Sequence, residues 1–172
     1  MRGGTDCRRS YLTYSRSLGR SELNGAEVRT HSAVHVLKGA VIKILGARLT
    51  TSVHVNENRG VLTVEFSRKP GNEEIAKVEA EANRKIQEDS EILQFEMDRE
   101  EAEGHFGQGI YDTFPFPKQV TRLKIVRIPE WETNCCAKKH VETTSEIGRL
   151  KVDRMRFRGA KHLLEIEFHI ES

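Results

Sequence analysis

No apolar run in this sequence approaches the roughly 20 residues that span a bilayer, and the N-terminus lacks the apolar centre of a secretory signal. These absences predict a soluble, cytoplasmic protein with no membrane partner. Cysteine is scarce as well. There are three, two of them adjacent as Cys135 and Cys136. Neighbouring cysteines are poorly disposed to bridge each other, so a disulfide framework is excluded and reduced or metal-bound thiols are expected. No internal repeat is visible. Aromatic residues are few, and the basic segments show neither an RNP-type pattern nor much aromatic interleaving, which counts against a conventional RNA-recognition module.

Net charge is also nearly missing, at a formal +2, but the balance conceals a division along the chain. Residues 71–103 carry 12 Asp or Glu against 4 Lys or Arg, whereas residues 118–161 carry 12 Lys or Arg against 5 acids. A solvated acidic helix face and ordinary strand exteriors would produce this; so would a basic face for a polyanion.

What is present fits one domain: 172 residues with 37% hydrophobic content supply one core. Residues 1–26, rich in Arg, Ser and Gly, read as a flexible basic leader, and residues 27–172 as the folded domain. A helix is predicted from Thr30, a suitable N-cap, to about Leu45, with Val34, Leu37, Val41, Ile44 and Leu45 as its apolar stripe and Gly46 as its stop. Ser52–Val55 and Val61–Phe66 flank a turn-rich segment and predict a hairpin. Asn72 is expected to cap a second helix, and a strand follows around Ile92–Met97. Asp98 with Glu101 resembles a capping box opening a short helix. Thr121–Ile128 reads as a strand, and Leu150–Arg158 with His162–Ile170 as a long hairpin. A shift of apolar phase between Val152 and Met155 predicts a bulge in its first arm. Interspersed helices and hairpins favour an α+β fold, a largely antiparallel sheet with helices on one face.

Chemistry concentrates in two short pairs. His31 and His35, at i and i+4 of the first helix, lie about 40° apart on a wheel of about 100° per residue, at the margin of the apolar stripe. That spacing can aim two imidazoles at one ion. More than a hundred residues later, Cys136 and His140 supply a thiol and an imidazole. One cysteine with three histidines suits tetrahedral zinc. A buried structural thiol at Cys136 and a surface histidine at His140 remain the competing reading. His54, His105, His162 and His169 read as structural or exposed, and Cys135 as a core thiol.

HSAVHVLKGAV, YDTFPFP and CAKKHVETTSEIGRLKV, in this order and spacing, resemble the AlaX-type proteins of the short class, free-standing relatives of the alanyl-tRNA synthetase editing domain. The resemblance covers about Glu27 to Ile170. It implies the two-layer editing-domain fold and a zinc held by the positions matching His31, His35, Cys136 and His140. The implied activity is hydrolysis in trans of the ester between an amino acid and the terminal adenosine of tRNA. The implied targets are serine, and in some members glycine, misattached to tRNA(Ala). The family usually has glycines between its Cys and His; Ala137, Lys138 and Lys139 stand there in this chain, reducing backbone freedom and adding two cations. The preceding barrel domain and Gly-rich motif of larger members are not found.

Accepting serine while rejecting alanine requires a group that hydrogen-bonds the extra hydroxyl, which makes Thr30 and Thr144 candidate pocket residues. Lys138 and Lys139 are candidates for the terminal phosphates. The related threonyl-tRNA synthetase editing domain, which clears serine from tRNA(Thr), shares the His/Cys pattern, so Ser-tRNA(Thr) editing is the alternative within the class. A non-catalytic zinc-stabilised RNA-binding module and a small-molecule metallohydrolase are the alternatives outside it. Monomer and homodimer are equally compatible with the sequence.

Overall fold

The structure is a computed structural model that describes residues 25–171. The expected leader falls outside the described residues except for Gly25 and Ala26, which already belong to the first helix. The order of elements is α1 (Gly25–Leu45), β1 (Thr50–Asn56), β2 (Arg59–Glu65), α2 (Asn72–Gln87), β3 (Leu93–Asp98), α3 (Arg99–Phe106), β4 (Arg122–Ile128), β5 (Glu132–Cys135), β6 (Arg149–Arg158) and β7 (Leu163–Glu171). Single 3-10 turns lie at Gln108–Ile110, Thr144–Ile147 and Gly159–Lys161. No helix among the described residues is long and apolar enough to cross a membrane.

The α+β architecture and antiparallel pairing are as the sequence predicts. The strands divide into two sheets, one ordered β1-β2-β7-β6 and the other β3-β4-β5. Both helices α1 and α2 contribute to the core of the larger sheet, where Val53, Leu62, Val64, Leu164, Ile166 and Phe168 meet Val34, Leu37 and Val41 of α1 and Val78, Ala82 and Ile86 of α2. The predicted bulge is present as a register shift between Val152 and Arg154. Strand β4 joins the two layers by simple alternation. Its Val126 and Ile128 enter the main core, while Leu123 and Ile125 face a second core with Ala102, Ile110, Tyr111, Phe116 and Cys135.

Four local expectations need correction. Thr30 is not a cap: α1 begins at Gly25, and the buried Thr30 hydroxyl donates to the Ala26 carbonyl at 2.8 Å, the back-bond a threonine makes inside a helix. Asn72 is the first residue of α2, not its cap; Gly71 precedes it and donates its N–H to the Glu74 carboxylate at 2.9 Å. Asp98 does cap α3, but by accepting from Glu100 N at 3.0 Å, without a box to Glu101. Strand β5 was not foreseen, because Glu132-Thr133-Asn134-Cys135 has no strand-like run of apolar residues and owes its conformation to pairing with β4.

Helix α1 differs from the expected amphipathic stripe. Every residue from Ser32 to Val41 is buried, because α2, β1, β2, β5 and β7 all pack around it. At Gly39 a Cβ would lie 2.1 Å from Trp131 Nε1. That close approach lets the Trp131 indole donate to the Val36 carbonyl at 3.0 Å, tying the start of β5 to the helix.

Candidate metal centre

Helix α1 carries His31 and His35 one turn apart, His31 half-buried and His35 2% exposed. Opposite them, the chain leaves β5 at Cys135 and passes through an irregular stretch carrying Cys136 and His140. Hydrogen bonds to three residues, Lys124, Gln94 and Ser32, fix that stretch. Cys136 N donates to Lys124 O at 2.9 Å, His140 N to Gln94 Oε1 at 3.2 Å, and Val141 N to Ser32 Oγ at 3.0 Å. Ser32 lies beside His31 on α1 and donates in turn to Val28 O at 2.7 Å.

The four sequence-predicted ligands therefore meet. The ligand atoms of His31, His35, Cys136 and His140 lie within 4.8 Å of one another, the one such group of three or more among the described residues. His31 Nε2 is 3.2 Å from Cys136 Sγ. The ring centroids of His35 and His140 are 4.9 Å apart, and both rings lie within 5.5 Å of that of His31.

The outward nitrogens of the two buried rings are occupied. His35 Nδ1 is 3.0 Å from Glu132 Oε2, and His140 Nδ1 is 3.0 Å from Gln94 Oε1. Both partners are oxygen acceptors, so each ring presents an Nδ1–H to its partner and turns Nε2 toward the centre. Those two Nε2 atoms are the only buried side-chain nitrogens or oxygens among the described residues that lack a hydrogen-bond partner. Leaving such an atom unsatisfied costs about 1–3 kcal/mol, so an inward-facing pair suits an electrophile between the rings. One thiol and three imidazoles with oriented outer nitrogens form a donor set that would fit a zinc-type ion.

Electrostatics distinguishes the buried rings. Burial pulls His35 down, but the Glu132 carboxylate and Cys136 outweigh it and raise the ring to about 9. For His140 burial prevails, and despite Cys136 the ring falls to about 4. Burial also pushes the Cys135 thiol up; Cys135 lies in the second core, as the sequence suggested, while Cys136 is half-buried.

The remaining candidates stand around this cluster. Lys138 is half-buried and Lys139 exposed, both beside a hollow whose wall includes Cys136. The Thr30 hydroxyl is spent on Ala26. Thr144 Oγ1 accepts from Ser90 N at 2.9 Å and donates to Lys85 O and Ile86 O at 3.0 and 3.2 Å, a fully occupied hydroxyl that fastens the 3-10 turn to the end of α2. Sequence reasoning missed Glu132 and Gln94, because neither has a fixed spacing to the histidine it holds. It also missed the buried Lys38, which donates to Asp112 Oδ1 at 2.8 Å in a cleft of about 430 Å³ that Glu132 also lines. His54, His105 and His162 are exposed, and His169 pairs with Asp153, all apart from the centre as expected.

Sequence comparison relates the chain to known proteins. The chain is 30% identical over 148 residues to the alanine–tRNA ligase of Methanopyrus kandleri, covering 80% of this chain and 16% of the ligase. It is 35% identical over 126 residues to that of Hyperthermus butylicus and 34% identical over 134 residues to that of Thermofilum pendens, covering 73% and 74% of the chain and 14% of each ligase. This chain is homologous to one segment of alanine–tRNA ligases. It spans about one-seventh of the length of these relatives. No protein-family model matches it.

Proposed function

We propose that the protein is a zinc-dependent aminoacyl-tRNA deacylase of the AlaX type. It acts in trans in the cytoplasm on the acceptor end of tRNA(Ala), removing misattached serine and, secondarily, glycine. One observation carries this reading. In a chain related to alanine–tRNA ligases, two buried imidazoles turn unpartnered Nε2 atoms toward a thiol and a third imidazole.

His31, His35, Cys136 and His140 would hold the ion. When bound, zinc supplies positive charge that polarises a carbonyl and acidifies nearby water. The chain's own residues supply placement. His35 and His140 are sealed from solvent, whereas His31 and Cys136 are half-buried, so the ester approaches along the His31–Cys136 edge. Glu132 and Gln94 fix the orientation of the two inner rings before substrate arrives. Lys138 and Lys139 flank the approach and suit the terminal phosphates. Thr30 and Thr144 shape the frame through backbone bonds.

The test is deacylation of Ser-, Gly- and Ala-tRNA(Ala) beside Ser-tRNA(Thr), with metal content measured on the same sample. Loss of serine from tRNA(Ala), with alanine spared, is the expected result; preference for Ser-tRNA(Thr) would reassign the substrate, and no hydrolysis would overturn the reading. Four protein ligands also describe a closed structural zinc site, which favours a non-catalytic RNA-binding module as the second reading. Chelation separates the two: a folded but inactive protein supports the enzyme, and unfolding supports the structural site.

A further inference from the structure

The edge strands of the two sheets are β1 and β6 in the larger and β3 and β5 in the smaller. An edge offers unpaired backbone groups to any passing strand, and proteins ordinarily blunt it. Helix α2 covers the start of β6, where Asn83 Oδ1 accepts from Leu150 N at 2.9 Å, Asn83 Nδ2 donates to Leu150 O at 2.7 Å and Glu79 Oε2 accepts from Val152 N at 2.9 Å. A register shift interrupts β1 between Thr50 and Ser52, and β5 has only 4 residues. Strand β3, LQFEMD, has none of these devices. Its 6 residues pair with β4 in unbroken register and include no Lys, Pro or Gly.

Arg99 N donates to Thr121 O at 2.8 Å, in phase with the Asp98–Arg122 pair, so the odd-numbered residues of β3 bond to β4. Gln94 and Glu96 therefore turn N–H and C=O to the outer edge. Ile92 N, which shares that phase, is taken by Glu142 O at 2.8 Å. Beyond it, no hydrogen-bond partner among the described residues reaches the backbone of Gln94 or Glu96. The apolar row of β3 is open as well. Leu93 is 38% exposed, and Phe95 and Met97 are half-buried against the second core.

We propose that β3 is an interface between two copies of this chain, paired antiparallel about a two-fold axis at Phe95, so that the two smaller sheets become one. Gln94 and the partner's Glu96 then exchange backbone hydrogen bonds in both directions. Phe95 meets the partner's Phe95 and Leu93 the partner's Met97, extending each second core across the axis. Charge and space select this register. Centring on Glu96 or Met97 would set one carboxylate against another, and centring on Gln94 would press the partner's Glu96 against Ile92, whose N–H is already bonded. Pairing does not depend on the deacylase activity. It does reach the candidate centre, because Gln94 Oε1 lies 3.0 Å from His140 Nδ1.

The test is sedimentation equilibrium of the full chain under reducing conditions across the micromolar range, which suits so small an interface. A concentration-dependent dimer is expected. Hydrogen exchange at the Gln94 and Glu96 amides should slow as the dimer forms, whereas that of Phe95, already bonded to β4, should change little. Leu93→Lys sets a charge against the partner's Met97 and should weaken dimerisation about tenfold or more, and Met97→Glu should do the same. The two changes together should restore the dimer through opposite charges across the axis. Met97 packs against the second core, so thermal melts accompany its variants. Leu93→Lys, at an exposed position, tests the interface by itself if they fail to fold. A chain that stays monomeric, a dimer indifferent to Leu93→Lys, or a dimer that leaves the Gln94 and Glu96 amides unprotected would overturn the proposal. So would two folded single variants whose combination remains monomeric.

Discussion

His31 and His35 come from the most deeply packed element of the protein, whereas Cys136 and His140 come from a stretch without regular secondary structure. The helical pair is held by burial on all sides of α1 and by the Gly39–Trp131 contact. The loop pair depends on individual hydrogen bonds to Lys124, Gln94 and Ser32. The same i, i+4 spacing therefore means different things. In α1 it stacks two rings by helix geometry. In the loop it sets no direction, and convergence comes from bonds to residues far away in sequence.

Removing a ligand from the rigid half should have the largest effect. Loss of an orienting partner alone typically costs 10–100-fold in metal affinity or activity, so His35→Ala should lower both by more than about a hundredfold. Isothermal titration with Zn²⁺ and a Ser-tRNA(Ala) assay would measure this, and normal turnover would contradict the site. The same half can be broken through packing. In Gly39→Ala the new methyl must displace Trp131 and its bond to Val36. A destabilisation of about 3 kcal/mol is expected from overpacking and the lost hydrogen bond, read from the urea midpoint. Ser32→Ala instead attacks the loop half, leaving Val141 N unpaired. It should cost about 1–2 kcal/mol and weaken metal binding with little change in helical circular dichroism.

The smallest expected effect sharpens the contrast through pH. In the metal-free protein His35, raised from 6.5 to about 9, contributes stability that is complete below pH 6.5 and lost as pH rises through 9. His140, lowered from 6.5 to about 4, contributes stability present above pH 6.5 and lost as pH falls toward 4. His35→Gln should thus flatten the alkaline limb of the stability profile and His140→Gln the acid limb. Urea titrations across pH 4–9 test this range, and limbs unchanged in both variants would refute the assignment.

These differences parallel what the sequence made legible. Local patterns located most helices and strands, and a break in alternation between Val152 and Met155 revealed a bulge before any pairing was known. Thr30 misled because a threonine hydroxyl caps a helix or bonds back inside one equally well, and only the preceding turn decides. β5 and the separation into two sheets follow from pairing with β4, which is non-local. The four candidate ligands were legible as residue types at suitable spacing and through a family resemblance. Glu132 and Gln94 were not, since a carboxylate 97 residues from His35 and an amide 46 residues from His140 carry no local signal.

The claim that both halves close on one ion is tested most directly by cobalt(II) titration followed by visible absorption. One ion per chain is expected, in a tetrahedral site with a single thiolate, its charge-transfer band lost in Cys136→Ser and retained in Cys135→Ser. An absence of binding, or a band that survives Cys136→Ser, would contradict it.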